Sequence, residues 1–131
     1  MKALSIVAPS GSKIAHGLKT LEIRRWAPAL QPDEDLLIVE NSRFLHEEGD
    51  EDADGRAVAI LRVGAVRPFR PSDIAAACAS YYEDGWLAWE LTHIRPISCA
   101  QPLRAARGIY DLKIDPQGAL ATALRGDQLL R

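Results

Sequence analysis

The sequence predicts a mixed, mainly β domain: a small antiparallel barrel or curled sheet of five to six strands, flanked by two or three short helices. Three observations carry this class. Short apolar runs rich in aliphatic and aromatic residues recur between turn residues, without the strand–helix alternation that marks βαβ units. The longest run, "GRAVAILRVGAVRPF", holds Gly64 at its middle, where a bulge or barrel corner bends a strand. At 131 residues the chain has room for one domain, residues 1–131, with a single real core.

Along the chain, "KALSIVAP" alternates into a first strand that Pro9 ends. Ser10 or Ser12 can cap a short helix over roughly residues 11–17, which Gly17 stops. "TLEIRRW" is a second extended segment, followed by a loop with Pro28 and Pro32, and "DLLIVEN" reads as a continuous apolar strand. In "RPSDIAAACASYYED", Ser72 is placed as a cap and Asp73 in the first turn, the clearest helix signal in the chain. "GWLAWELTHIRPI" is a strand bearing Trp86 and Trp89, "RGIYDLKID" is another, and "GALATALRGDQLLR" is a closing helix or a loose tail. The acidic "HEEGDEDADG" joins two strands as a solvated hairpin loop.

Composition excludes several classes. Apolar residues make up 47% and charged residues 26%, a globular rather than a disordered balance. No apolar run approaches the ~20 residues of a membrane helix. The opening "MKALSIVAPSGSK" breaks at Pro9 after about six apolar positions, short of a signal-peptide core, so the expected compartment is the cytoplasm. Two cysteines make neither a disulfide framework nor a metal site; Cys78 reads as a small buried thiol, and Cys99 as structural. His16, His46 and His93 show no metal-ligand spacing, so no metal and no cofactor is expected.

The formal net charge of −2 hides a segregation. Residues 1–25 carry five basic side chains and one acidic; residues 31–54 carry ten acidic and one basic; residues 55–72 carry four arginines and no acid. A local basic surface can therefore steer an anionic ligand on a mildly acidic protein. "PSGSK" falls short of a phosphate loop, because Ser12 stands where the glycine before the lysine belongs. It leaves two readings: helix capping, or backbone N–H groups of Ser10, Gly11 and Ser12 offered to an anion. "HEEGDEDAD" lacks the ligand spacing of a calcium loop. Trp86, Trp89, Tyr81, Tyr82 and Tyr110 are core material first, and any exposed one could stack a base.

The most informative stretch is "GLKTLEIRRW", residues 17–26. Leu21 and Ile23 alternate toward a core, so Glu22 and Arg24 share the opposite face, with Lys19 upstream beside Gly17. The pattern Gly-x-Lys-x-x-Glu-x-Arg is either a solvated strand face or the wall of an anion cleft.

"GLKTLEIR" resembles the signature of the ASCH domain, a member of the PUA-like superfamily of small barrels. The order of "ALSIVAP", "GLKTLEIRRW", "DLLIVENS" and "GWLAWELTHIRPI…RGIYDL" is similar to that family over most of the chain, leaving out the acidic loop and roughly the last dozen residues. The resemblance implies a PUA-like antiparallel β-barrel whose cleft floor carries Lys19, Glu22 and Arg24 as catalytic residues. The implied partner is single-stranded RNA or a nucleotide, with no metal required. Some members are single-strand-specific ribonucleases, and Glu22 would then take a proton from a ribose 2′-hydroxyl while Lys19 and Arg24 hold the phosphate. Some small bacterial relatives are amidohydrolases on N-acylated cytosine, with a lysine matching Lys19 and a threonine nucleophile where this chain has Glu22. Ser10, Lys13, Thr20 and Asn41 would rim the cleft, and Arg104, Arg107 and Tyr110 would extend a strand-tracking surface. A third reading makes the acidic loop, residues 47–54, the contact surface for a basic partner.

Overall fold

A computed structural model describes residues 1–129. Seven strands occur among them: β1 (Lys2–Val7), β2 (Leu21–Arg24), β3 (Leu36–Asn41), β4 (Glu51–Pro68), β5 (Leu87–Pro96), β6 (Leu103–Ala106) and β7 (Ile109–Asp111). Three α-helices accompany them: α1 (Ser10–Ala15), α2 (Ile74–Ala77, entered through a 3-10 turn at Pro71–Asp73) and α3 (Ala119–Leu129). The ladders follow the order β2-β5-β4-β3-β1-β7, with β6 pairing the start of β4.

Two expectations change here. The path of pairings runs open from β2 to β7 rather than closing into a barrel among the described residues. The sheet is also mixed, because β1 lies parallel to β3, Ala3 opposite Leu37 through Val7 opposite Asn41. Alternation reports which side chains face a core, not which strand lies alongside. The parallel pair needs a long crossover, which residues 8–35 supply with α1 and β2 inside it.

β3 explains why its sequence is apolar without alternation. Leu36 and Ile38 enter one core with Leu4, Ile14, Leu61 and Trp89, while Leu37 and Val39 enter a second with Ala3, Leu103, Leu112 and Leu120. Both faces of the strand are covered, so both carry aliphatics. β4 serves several neighbours in turn. Its register against β5 shifts between Val63 and Val66, across Gly64, as the glycine suggested. At Gly55 a Cβ would sit 2.6 Å from Val39 Cγ1 and 2.8 Å from the Leu103 carbonyl oxygen, so only glycine fits where β4 passes from β6 to β3.

The helix expected from Ser72 is a single α-helical turn. Ser72 makes no cap; instead the Asp73 carboxylate accepts the Arg70 N–H at 2.9 Å and Arg67 Nη1 at 2.7 Å. Cys78 then adopts a left-handed conformation (φ 51°) and ends the helix, leaving its thiol exposed rather than buried. The acidic loop is shorter than expected, since Glu51–Asp54 already belong to β4. The closing stretch is a helix, with Leu120 and Ala121 buried; its last two residues lie outside the described ones. Among the described residues no helix is long and apolar enough to cross a membrane.

Candidate anion-binding cleft

Gly17, with φ at +77°, turns the chain out of α1. The Lys13 carbonyl then receives the N–H groups of Leu18 and Lys19 at 2.9 and 3.2 Å. Thr20 fixes the next step, its N–H on the Ala76 carbonyl and its own carbonyl receiving Leu91 N–H. β2 pairs with β5, Glu22 opposite Trp89 and Arg24 opposite Leu87. Leu21 packs with Phe69, Ala77 and Ala88, which leaves Glu22 and Arg24 on the other face of the strand.

The three charged groups converge. Lys19 Nζ stands 3.3 Å from Glu22 Oε1 and donates to the Ala77 carbonyl at 2.6 Å. Arg24 Nε donates to Glu22 Oε2 at 2.8 Å, and its Nη2 reaches the Ser5 carbonyl at 3.4 Å. Lys19 and Glu22 are each only 6% exposed. Ion pairs this deep are held by geometry as much as by charge, because both ions have given up water. A guanidinium has five N–H donors, so Arg24 keeps three that no described residue takes.

These groups line a cleft of about 890 Å³. One wall is aromatic and cationic. Trp26 is locked in place, its ring edge-on to Trp89 at 5.0 Å and its carbonyl receiving Trp89 Nε1 at 3.1 Å. The Arg24 guanidinium lies 5.9 Å from the Trp26 ring centre, and that of Arg25 lies 4.8 Å from the Trp86 ring centre. Asn41, Arg43, the exposed Phe44 and Arg107 also line the cleft. Asn41 is buried and donates to the Arg43 carbonyl at 2.7 Å. Glu48 and Asp50 of the acidic loop, and Glu51 at the start of β4, also line the cleft. Asp50 folds that loop on itself by accepting the N–H groups of Glu47 and His46 at 3.0 and 3.1 Å. The Glu47 N–H above all, then that of His46 and the charges of Arg43 and Arg107, hold the Asp50 carboxyl below its ordinary value.

Of the residues expected in the site, Lys19, Glu22, Arg24, Ser10, Asn41 and Arg107 line this cleft, and Lys13, Thr20, Arg104 and Tyr110 do not. Thr20 spends its backbone on joining β5 to α2, and its side chain is exposed elsewhere. Lys13 sits in α1, half-buried. Arg104 pairs with Glu51 at 2.8 Å and covers the Tyr110 ring at 5.0 Å, while Tyr110 donates to the Arg104 carbonyl and receives Ser5 Oγ. Burial pushes the Tyr110 hydroxyl up, so it stays a neutral structural link. The helix-start anion reading also changes: Glu40 already takes Ser12 N–H at 2.7 Å and Ser12 Oγ at 2.8 Å. Arg25, Trp26, Arg43 and Phe44 went unnoticed in the sequence, although "RRW" continues the charged face straight out of β2. Among the described residues no group of three or more His, Cys, Asp and Glu could hold a metal ion.

Residues 4–100 match the family model described as the ASCH domain. The fold is similar to that of the ASCH protein of Zymomonas mobilis, with a TM-score of 0.53 and 17% identity over 73% of this chain and 69% of that one. A point variant of the same Zymomonas mobilis protein matches with a TM-score of 0.53 and 15% identity, over 74% and 72% of the two chains. At these identities the likeness is one of fold. No curated protein matched the chain.

Proposed function

Because the chain belongs to the ASCH-domain family, we propose that its cleft binds single-stranded RNA or a nucleotide, with one phosphate against Lys19 and Arg24. The observation that carries this reading is the Lys19–Glu22–Arg24 triad in the cleft, Lys19 and Glu22 buried and Arg24 partly exposed. Two cations already oriented by one carboxylate can meet a phosphate without the side-chain ordering that surface lysines would need. The free edge of Arg24 supplies directed donors, and Trp26, Trp86 and Phe44 offer faces on which a base can stack.

Glu22 fits the role of anchor better than that of base. Each of its oxygens already faces a cation, and a general base must offer an oxygen to the proton it removes. The amidohydrolase alternative loses support as well, because Thr20, the hydroxyl nearest in sequence to Lys19, stands outside the cleft. The reading is therefore binding first, with turnover open to the same assay.

Fluorescence anisotropy of a labelled single-stranded RNA, titrated with protein at several salt concentrations with chelator present, tests it. Arg24→Ala should weaken binding by about tenfold or more, because charge-assisted hydrogen bonds are removed. It should also flatten the salt dependence by about 0.7 in log–log slope for each phosphate that is no longer neutralised. Absence of binding at low salt, or binding indifferent to Arg24→Ala, would overturn the proposal. Shortened RNA on a parallel denaturing gel would extend it to cleavage.

A further inference from the structure

Ile23 and Trp86 line the anion cleft and also a second hollow of about 150 Å³, so they form a partition between the two. The hollow's other walls include Phe69, Tyr81 and Glu83. Phe69 is buried and rests 5.3 Å from the Tyr82 ring, which gives the hollow a fixed aromatic base. Tyr81 stands at the hollow with 65% of its surface exposed, so its ring is open to a ligand. The space is far below the ~300 Å³ at which sites for drug-sized ligands begin, and suits a single planar ring system.

We propose that this hollow is a nucleobase subsite, taking the base of a nucleotide adjacent to the phosphate held by Lys19 and Arg24. The proposal rests on the reading of the cleft as an RNA site and specifies its ligand further. Three features point to a base rather than to a partner's apolar side chain. The hollow is divided from the cationic cleft only by Ile23 and Trp86, and Arg25 sits over that same Trp86 ring. A planar, π-rich ring bearing a phosphate satisfies both surroundings at once. Glu83 supplies the third feature: a carboxylate at the wall of an aromatic hollow accepts from an exocyclic amino group, as in carboxylate–cytosine pairing, and repels the carbonyl edge of uracil. The ligand is then a strand of at least two nucleotides with its bases unpaired, since a base stacked here is withdrawn from any duplex.

The test uses the full chain with a fluorescein-labelled abasic trinucleotide and fluorescein-labelled cytidine and uridine trinucleotides at low salt. Wild type should bind the cytidine trinucleotide about fivefold or more tighter than the uridine one, the discrimination of one good base-edge contact. Tyr81→Ala, at an exposed position where truncation leaves the core intact, should weaken the cytidine trinucleotide about tenfold through loss of stacking. The same variant should leave the abasic trinucleotide unchanged. Glu83→Gln, whose amide serves either base edge, should bring the two trinucleotides together. Wild-type binding of both the abasic and the cytidine trinucleotide with no effect of Tyr81→Ala would overturn the subsite and leave the cleft reading intact. An equal base preference in wild type and Glu83→Gln would overturn the role of Glu83. Failure of wild type to bind either probe would overturn cleft and subsite together.

Discussion

Replacing Glu22 with glutamine tests the role of the triad most directly. The carboxylate faces Lys19 at 3.3 Å and Arg24 at 2.8 Å, which at an effective dielectric constant of about 20 corresponds to gross attractions of about 5 and about 6 kcal/mol. Most of that is offset by the water all three ions have surrendered. What remains visible is the cost of leaving buried cations without their anion, about 3–5 kcal/mol when one partner of a buried pair is removed. Arg24 is a quarter exposed and can recover some hydration, so the lower end, about 3 kcal/mol, is expected. Unfolding entropy of about 2.1 cal/mol/K per residue over 131 residues turns this into a fall in Tm of about 11 °C. Circular dichroism melts of wild type and Glu22→Gln measure it. RNA binding at 20 °C should survive, because both cations remain in place. A melting temperature within about 2 °C of wild type, where the same calculation places a change of about half a kcal/mol, would refute the anchor role. An unchanged Tm joined to loss of an RNA-cutting activity would make Glu22 a base instead.

Two further outcomes follow from the charges around the cleft. Glu48→Gln removes a negative charge from the cleft lining, so RNA affinity should rise severalfold at low ionic strength and the gain should vanish near 1 M salt, where the screening length is about 3 Å. Anisotropy at both salt concentrations checks this, and weaker binding in the variant would count for the acidic loop as a contact surface. Asp73 is held below the ordinary carboxylate range, by the Arg67 guanidinium first and then by the Arg70 N–H. A depressed native value contributes stability that is present above the unfolded value of about 3.9 and is lost as the pH falls toward the native one. Urea unfolding of Asp73→Asn should therefore show lower stability than wild type at neutral pH and a flatter decline below about pH 4; parallel acid limbs would remove Asp73 from that account.

What could be read in advance depended on whether a residue's fate is decided locally. Leu21 and Ile23 alternate with Glu22 and Arg24 because a strand has period two, so the charged face was legible before any fold was known. Gly64 announced its bulge, and the unbroken run in β3 announced burial on both sides. Residues settled by distant partners gave no such notice. Nothing near Ser72 shows that Arg67 would claim Asp73 and that Cys78 would stop the helix one turn later. The parallel pairing of β1 with β3 and the part of the acidic loop in lining the cleft are likewise properties of the assembled sheet. Trp26 was missed for the same reason: its ring is positioned by Trp89, 63 residues away in sequence.

The triad also constrains the charge of what it binds. Lys19 and Arg24 against Glu22 sum to one formal positive charge, with Lys19 and Glu22 both buried. A phosphodiester carries one negative charge and brings the triad to neutrality, whereas a terminal phosphate near its full double charge leaves an unbalanced anion beside a buried carboxylate. In a poorly hydrated site the unbalanced case is penalised more steeply than in water, because the missing solvent cannot screen it. Removing Glu22 would shift that balance toward doubly charged ligands. On the proposed reading the carboxylate then does more than orient Lys19 and Arg24: it favours a phosphodiester from the interior of a strand over a terminal phosphate.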